Sequence, residues 1–194
     1  MASNQEQLGF CMEGRSDIFG RGYAHVVPFM NEVIDGFDLR AGAKVLDVGT
    51  GRGMMAVVLA LRGFEVTTGE PAQDHWADWQ ANAEQAGVTD LVTFTPFEAE
   101  SLPFSGGSFE AAFIYGSFHH IQGRAAALAE LCRVVTEGKP IAIFEPNEAG
   151  LAVIREEQPE HPDAEDPREY VGDLPVSVES IPGEIFDAFV VRLK

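Results

Sequence analysis

Short apolar runs alternate with mixed stretches along this chain. Residues 44–48 (KVLDV) are compact and apolar and break into Gly49-Thr50-Gly51-Arg52-Gly53. The same kind of run recurs at 65–68, 91–97, 109–115 (FEAAFIY) and 141–145. Each reads as a strand; 91–97 alternates, whereas the others are nearly continuous in apolar residues, as in strands buried on both faces. Between them the apolar residues adopt helical spacing, which predicts helices over 54–62, 74–86 and 124–135. Gly63, Gly87 and Gly138 follow these stretches as left-handed stop residues. Trp76 and Trp79 fall three apart, on one face of the second predicted helix, as packing of helix on sheet.

Strand, helix, strand, helix predicts an α/β fold: a Rossmann-like, doubly wound, seven-stranded and mostly parallel sheet with helices on both faces. A further helix is expected over 23–37, covering one end of the sheet. The pattern changes after the fifth strand. Two β-like runs, 176–181 and 186–193, are separated by Pro182-Gly183, so they must pair antiparallel. Residues 156–173 hold eight acids, one Arg and three prolines, which reads as a solvated loop or flap. A single domain results, divided into an N-terminal helical arm or lid (1–38), a ligand-binding core (39–147), an acidic loop (148–173) and a terminal β-hairpin (174–194).

Charge narrows the partners. The chain has 194 residues and a formal net charge of −18. That disfavours nucleic acid, whose affinity depends on Lys and Arg neutralising phosphates, and disfavours anionic membrane surfaces for the same reason. No run reaches the roughly 18 apolar residues of a spanning helix, and the first residues lack a signal-peptide pattern. Cys11 and Cys132 form neither a disulfide framework nor a zinc pattern. A cytoplasmic protein with reduced thiols and no bound metal is expected.

The glycine-rich turn carries the most specific chemistry. Glycines at 49, 51 and 53 remove side chains where a strand turns sharply into a helix, so a ligand can approach the backbone and the N–H groups at the helix start. A tight turn with no ligand would need the same glycines. Glu70 ends the second strand about 20 residues further on, where a carboxylate can accept from both hydroxyls of a ribose. The spacing is G-x-G-x-G, with Met54 next, whereas a dinucleotide fingerprint wants G-x-G-x-x-G. An NAD(P)-dependent oxidoreductase is therefore the lesser alternative.

These residues resemble a family. Asp47-x-Gly49-x-Gly51-x-Gly53 looks like the first motif of class I S-adenosylmethionine-dependent methyltransferases. Thr68-Gly69-Glu70-Pro71 looks like their ribose-binding loop. The run from Phe97 to Phe104 (FEAESLPF), Ser108-Phe109-Glu110-Ala111, Phe118-His119-His120-Ile121 and the stretch from Leu128 to Lys139 resemble, in order, segments of the small-molecule group that includes ubiquinone/menaquinone-biosynthesis enzymes. The resemblance implies S-adenosyl-L-methionine as cofactor, S-adenosyl-L-homocysteine as product and a small-molecule methyl acceptor. It also implies that Gly49, Thr50 and Gly51 line the methionine part, with Asp47 bracing the loop. Glu70 would take the ribose hydroxyls and Pro71 would pack on adenine. Glu98 and the Ala99 N–H would meet the adenine edge, and the Tyr115 carbonyl would meet the ammonium. Glu98 departs from the family's usual Asp, Pro96 from a residue with a free N–H, and Glu110 from Asp.

Methyl transfer from a sulfonium needs alignment more than a strong base, although a hydroxyl or carbon acid must lose a proton. His119 and His120, after the fourth strand on the ligand-binding edge, are the candidates for that proton. Packing under the loop is the competing role for either. As adjacent residues they are not expected to chelate one ion. Arg21 is a candidate for gripping the cofactor carboxylate, with Tyr23 closing over the site. A module that binds the cofactor without transferring methyl is the alternative from another functional class.

Overall fold

The computed structural model describes residues 23–72 and 78–194. Its first helix, α1 (Tyr23–Asp35), buries Val26, Val27, Met30, Val33 and Ile34. That spacing makes one apolar stripe on a helix. The helix stops at 35 rather than 37, because the N–H groups of Gly36 and Phe37 turn back to Val33 and Ile34 at 3.2 and 3.0 Å.

Strand β1 (Lys44–Val48) lies parallel between β2 (Glu65–Gly69) and β4 (Ala111–Tyr115). The two-residue period of a strand then sorts its side chains into two cores. Val45, Val66, Ala111 and Phe113 join α1, α2 (Met54–Leu61) and α3 (Trp79–Ala86) on one face. Leu46, Val48, Ala112 and Ile114 join α4 (Arg124–Val134) on the other. Helix α2 is buried from Met54 to Ala60, which is why its sequence is apolar all round.

Seven strands make one sheet in the order β3-β2-β1-β4-β5-β7-β6, where β3 is Val92–Phe94, β5 is Ile141–Pro146, β6 is Val176–Ile181 and β7 is Phe186–Leu193. The first five are mutually parallel, and β7 runs antiparallel to both β5 and β6. This is the doubly wound sheet with a terminal antiparallel pair that the sequence predicts. Among the described residues, no helix is long and apolar enough to cross a membrane.

Three expectations change. The helix predicted from 74 begins at Trp79, because the Asp78 side chain accepts from Ala81 N at 3.1 Å and caps it. Trp79 is buried and stacks on Phe94 at 5.7 Å, while Trp76 lies outside the described residues. Strand β3 is shorter than 91–97. A 3-10 turn takes Thr89–Leu91, and the strand ends at Phe94, although the Thr95 and Phe97 N–H groups still donate to the Thr68 and Glu70 carbonyls at 2.9 and 3.2 Å. The acidic stretch is not simply solvated. Helix α5 (Glu148–Glu157) takes its start, and residues 158–173 then form a strap closed by a 3-10 turn at Pro167–Tyr170. Most of its acids remain exposed, as a solvated loop requires, but a few contacts tie it down. Glu165 meets Arg124 at 3.1 Å and Asp163 meets Arg155 at 2.7 Å, while Pro167 is buried and Tyr170 meets Phe118 edge-on at 5.9 Å.

Candidate functional site

A cleft of about 580 Å³ opens at the carboxyl edge of β1, β2 and β4. In a parallel sheet that edge is where chain turns converge and ligands bind. The glycine turn forms one wall. Gly49 has φ +94, and a Cβ there would collide with Ser117 Oγ, which donates to the Val48 carbonyl at 2.9 Å. Gly51 has φ +47, and a Cβ there would meet nothing within 4 Å, so its open side belongs to the cleft. The Gly51 N–H donates to Glu70 Oε2 at 2.9 Å, which sets this carboxylate against the turn.

Beneath the turn runs a buried polar chain. Thr68 Oγ1 donates to Asp47 Oδ2 at 2.8 Å, and the Thr50 and Thr68 hydroxyls lie 2.8 Å apart. With the Thr68 proton committed to the carboxylate, Thr50 is the donor of the second bond. Burial pushes the Asp47 carboxyl up to about 7; the Thr68 hydrogen bond opposes this and the Glu70 charge adds to it. Asp47 Oδ1 is buried with no hydrogen-bond partner among the described residues.

The cleft gathers Gly49, Gly51, Glu70, Pro71, Glu98, Ala99, Tyr115 and His120 from the predicted set. Four others do not line it. Asp47 and Thr50 are buried under the turn, and Gly53 has φ +79 at the start of α2. His119 lies below the cleft, in a buried pair with Glu145: Nδ1 is 2.7 Å from Oε2. Arg21 and Cys11 lie outside the described residues, as does the Tyr23 side chain. The Tyr115 ring stacks on Phe186 at 4.8 Å, and burial raises its hydroxyl pKa, so the side chain serves packing. Cys132 is buried, which pushes its thiol up.

Several lining residues escape sequence reasoning. Phe97, Glu100 and Ser117 also wall the cleft. Glu100 accepts from Gly123 N at 2.8 Å and so ties the wall to the start of α4. Its place inside the FEAESLPF segment was the available signal. Glu145 and His161 carry no such signal. Glu145 is an acid inside an apolar strand, buried because it accepts from Phe118 N at 3.2 Å and from Glu165 N at 3.3 Å besides pairing with His119. His161 arrives from the strap, and its ring sits 4.9 Å from that of His119.

Comparison with known proteins agrees with this geometry. A family model described as a methyltransferase domain matches residues 46–143, half of the chain. The 27-O-demethylrifamycin SV methyltransferase of Amycolatopsis mediterranei is 32% identical over 119 residues, covering 58% of this chain and 43% of that protein. The demethylmenaquinone methyltransferase of Thermus thermophilus is 33% identical over 108 residues, covering 55% and 48%. These matches span less than half the length of the curated relatives. In fold, the chain is similar to a SAM-dependent methyltransferase from Aquifex aeolicus, with a TM-score of 0.64 at 18% identity over 98% of both chains. The glycine turn, the strand order and the matched core together make this chain a member of the class I S-adenosylmethionine-dependent methyltransferase family.

Proposed function

We propose that the cleft binds S-adenosyl-L-methionine and that the protein transfers its methyl group to a small-molecule acceptor. The observation that carries this is Glu70 at the end of β2, hydrogen-bonded at 2.9 Å to the Gly51 N–H across the mouth of the glycine turn. A carboxylate held there can take the two hydroxyls of a ribose. The residues fit the cofactor in two further ways. The open side of Gly51 leaves room in the cradle that a side chain would fill. Asp47 adds a buried carboxylate beneath the turn whose Oδ1 has no hydrogen-bond partner among the described residues, and a cationic amino-acid tail would stabilise its charged form.

The cofactor supplies a methyl group on a sulfonium sulfur, which an acceptor's lone pair displaces in line to leave a neutral thioether. The chain's own residues do the holding. Gly49 and Gly51 receive the amino-acid part against bare backbone, with Thr50 and Asp47 fixing the turn from below. Glu70 orients the ribose. Pro71, Glu98 and the Ala99 N–H bound the base, and the Tyr115 carbonyl faces the ammonium. Arg21 is assigned the cofactor carboxylate. His120, exposed on the cleft wall, is assigned the acceptor proton, which its exposure there supports, and the buried His119 ring lies 4.1 Å from it. The names of the two curated relatives, one for a rifamycin oxygen and one for demethylmenaquinone, support an acceptor that is a small molecule. The net charge of −18 supports the absence of a nucleic-acid partner, and a cytoplasmic location fits the same reading.

Calorimetry with S-adenosyl-L-homocysteine tests the site. The native protein should bind one equivalent, and Gly51→Asp should weaken binding at least about 100-fold by placing a side chain and a second negative charge beside Glu70. Its melting temperature should fall modestly, because a side chain at φ +47 is strained even though its Cβ meets nothing within 4 Å, and circular dichroism should show the fold retained. Equal affinity in the two proteins, or binding of NAD(P) in place of the homocysteine compound, overturns the reading.

A further inference from the structure

We infer that the protein carries a zinc-type metal site built from His119, His120 and His161. Their ligand nitrogens all lie within 4.8 Å of one another. His119 and His120 share the 3-10 turn after β4, and His161 comes from the strap more than 40 positions later. Two adjacent histidines are a poor chelate by themselves, and the third imidazole is what makes a site.

In two of the three rings, one nitrogen is engaged behind the site and leaves the other for a ligand. Glu145 can only accept at His119 Nδ1, 2.7 Å away, so that nitrogen carries a proton, and in the neutral ring that a metal requires the lone pair is on Nε2. Nε2 is buried and has no hydrogen-bond partner among the described residues. His161 repeats the arrangement: its Nδ1 lies 3.0 Å from the Pro162 carbonyl, which again can only accept, leaving Nε2 for a ligand. A carboxylate or a carbonyl behind a ligating imidazole is the usual support of a metal-bound histidine. Glu145 itself is occupied by Phe118 N, Glu165 N and His119, so it stands behind the site and not in it.

Three imidazoles suit zinc and its first-row neighbours, while magnesium and calcium want oxygen. Tetrahedral zinc would draw the nitrogens in to roughly 3.3 Å apart. That closure pulls the strap onto the turn, and His120 brings the metal to the wall of the cleft. The fourth position is left for water or a ligand. The site shares His120 with the cleft, and a zinc-bound ring no longer takes the acceptor proton assigned to it there, so metal affinity is measured apart from methyl transfer.

Equilibrium dialysis of the metal-stripped protein against zinc chloride is the test, with cobalt chloride as a spectroscopic probe. The native protein should retain one zinc with micromolar or tighter affinity, gain melting temperature on binding, and show the intense visible absorption of tetrahedral cobalt. His161→Ala, which removes only an imidazole of the strap, should lose at least about 100-fold in affinity. Glu145→Gln should lose about 10-fold or more through His119. Circular dichroism identifies any variant that fails to fold, and His161→Gln then replaces His161→Ala. Failure of the native protein to retain zinc, affinity unchanged in the His161 variants, or equal binding of magnesium chloride overturns the proposal.

Discussion

Asp47 occupies a position that favours its neutral form. Its carboxyl is raised from 3.8 to about 7, chiefly by burial, despite the hydroxyl of Thr68. The folded state therefore binds a proton that the unfolded chain has already released over that range. Stability from this group is full below about pH 4 and is lost as the pH rises through about 7. Asp47→Asn should flatten this dependence and stabilise the free protein at pH 8 by about 1 kcal/mol or more. Urea midpoints at pH 5.5 and pH 8 measure it, and parallel shifts in both proteins would remove Asp47 as the cause. None of this was legible from the sequence. The chain announces an acid before a glycine turn, but only the fold brings Thr68 beneath it and closes off water.

Among the elements, the strap is the one whose behaviour hangs on few contacts. Arg124 at the start of α4 donates to the His119 carbonyl at 2.7 Å, meets Glu165 at 3.1 Å and lies over the Tyr170 ring at 5.3 Å. Arg124→Ala should cost about 1–2 kcal/mol and speed proteolytic cleavage within 158–173 while the core stays resistant. Cleavage at the native rate would place the strap's anchorage elsewhere. Elements with a buried apolar face were readable in the sequence. Strands β6 and β7 fall at the predicted residues, because local pattern and turn chemistry decide them. The start of α3 is not readable there, since a cap at Asp78 acts over a single residue inside a longer pattern. The strap's acids are mostly exposed, as its composition suggests, but the anchors through Glu165, Pro167 and Tyr170 exist only in three dimensions. His161, the third ring of the histidine cluster, was hidden in the same stretch.

The whole molecule carries −18, of which residues 156–173 hold a net seven negative charges. Self-repulsion of this kind weakens the compact state and is screened by salt. Raising sodium chloride from about 10 mM to about 150 mM shortens the screening length from about 30 Å to about 8 Å and should raise the melting temperature by a few degrees. A fall would mean that ion pairs such as Arg124–Glu165 outweigh the repulsion. Seen at this scale, the two cores and the glycine turn were legible because each depends on residues close in sequence. The site's floor was not, since it joins β1, β4, β5 and the strap. The position of β7 also governs the order in which the molecule can be assembled. β7 pairs with β5 along six residues, yet 39 residues separate the start of β7 from the end of β5. As the chain leaves the ribosome, the apolar run IAIF of β5 emerges long before the strand that covers it. For that interval the nascent sheet presents an open, sticky edge, the kind of surface that chaperones shield and that neighbouring chains can pair with.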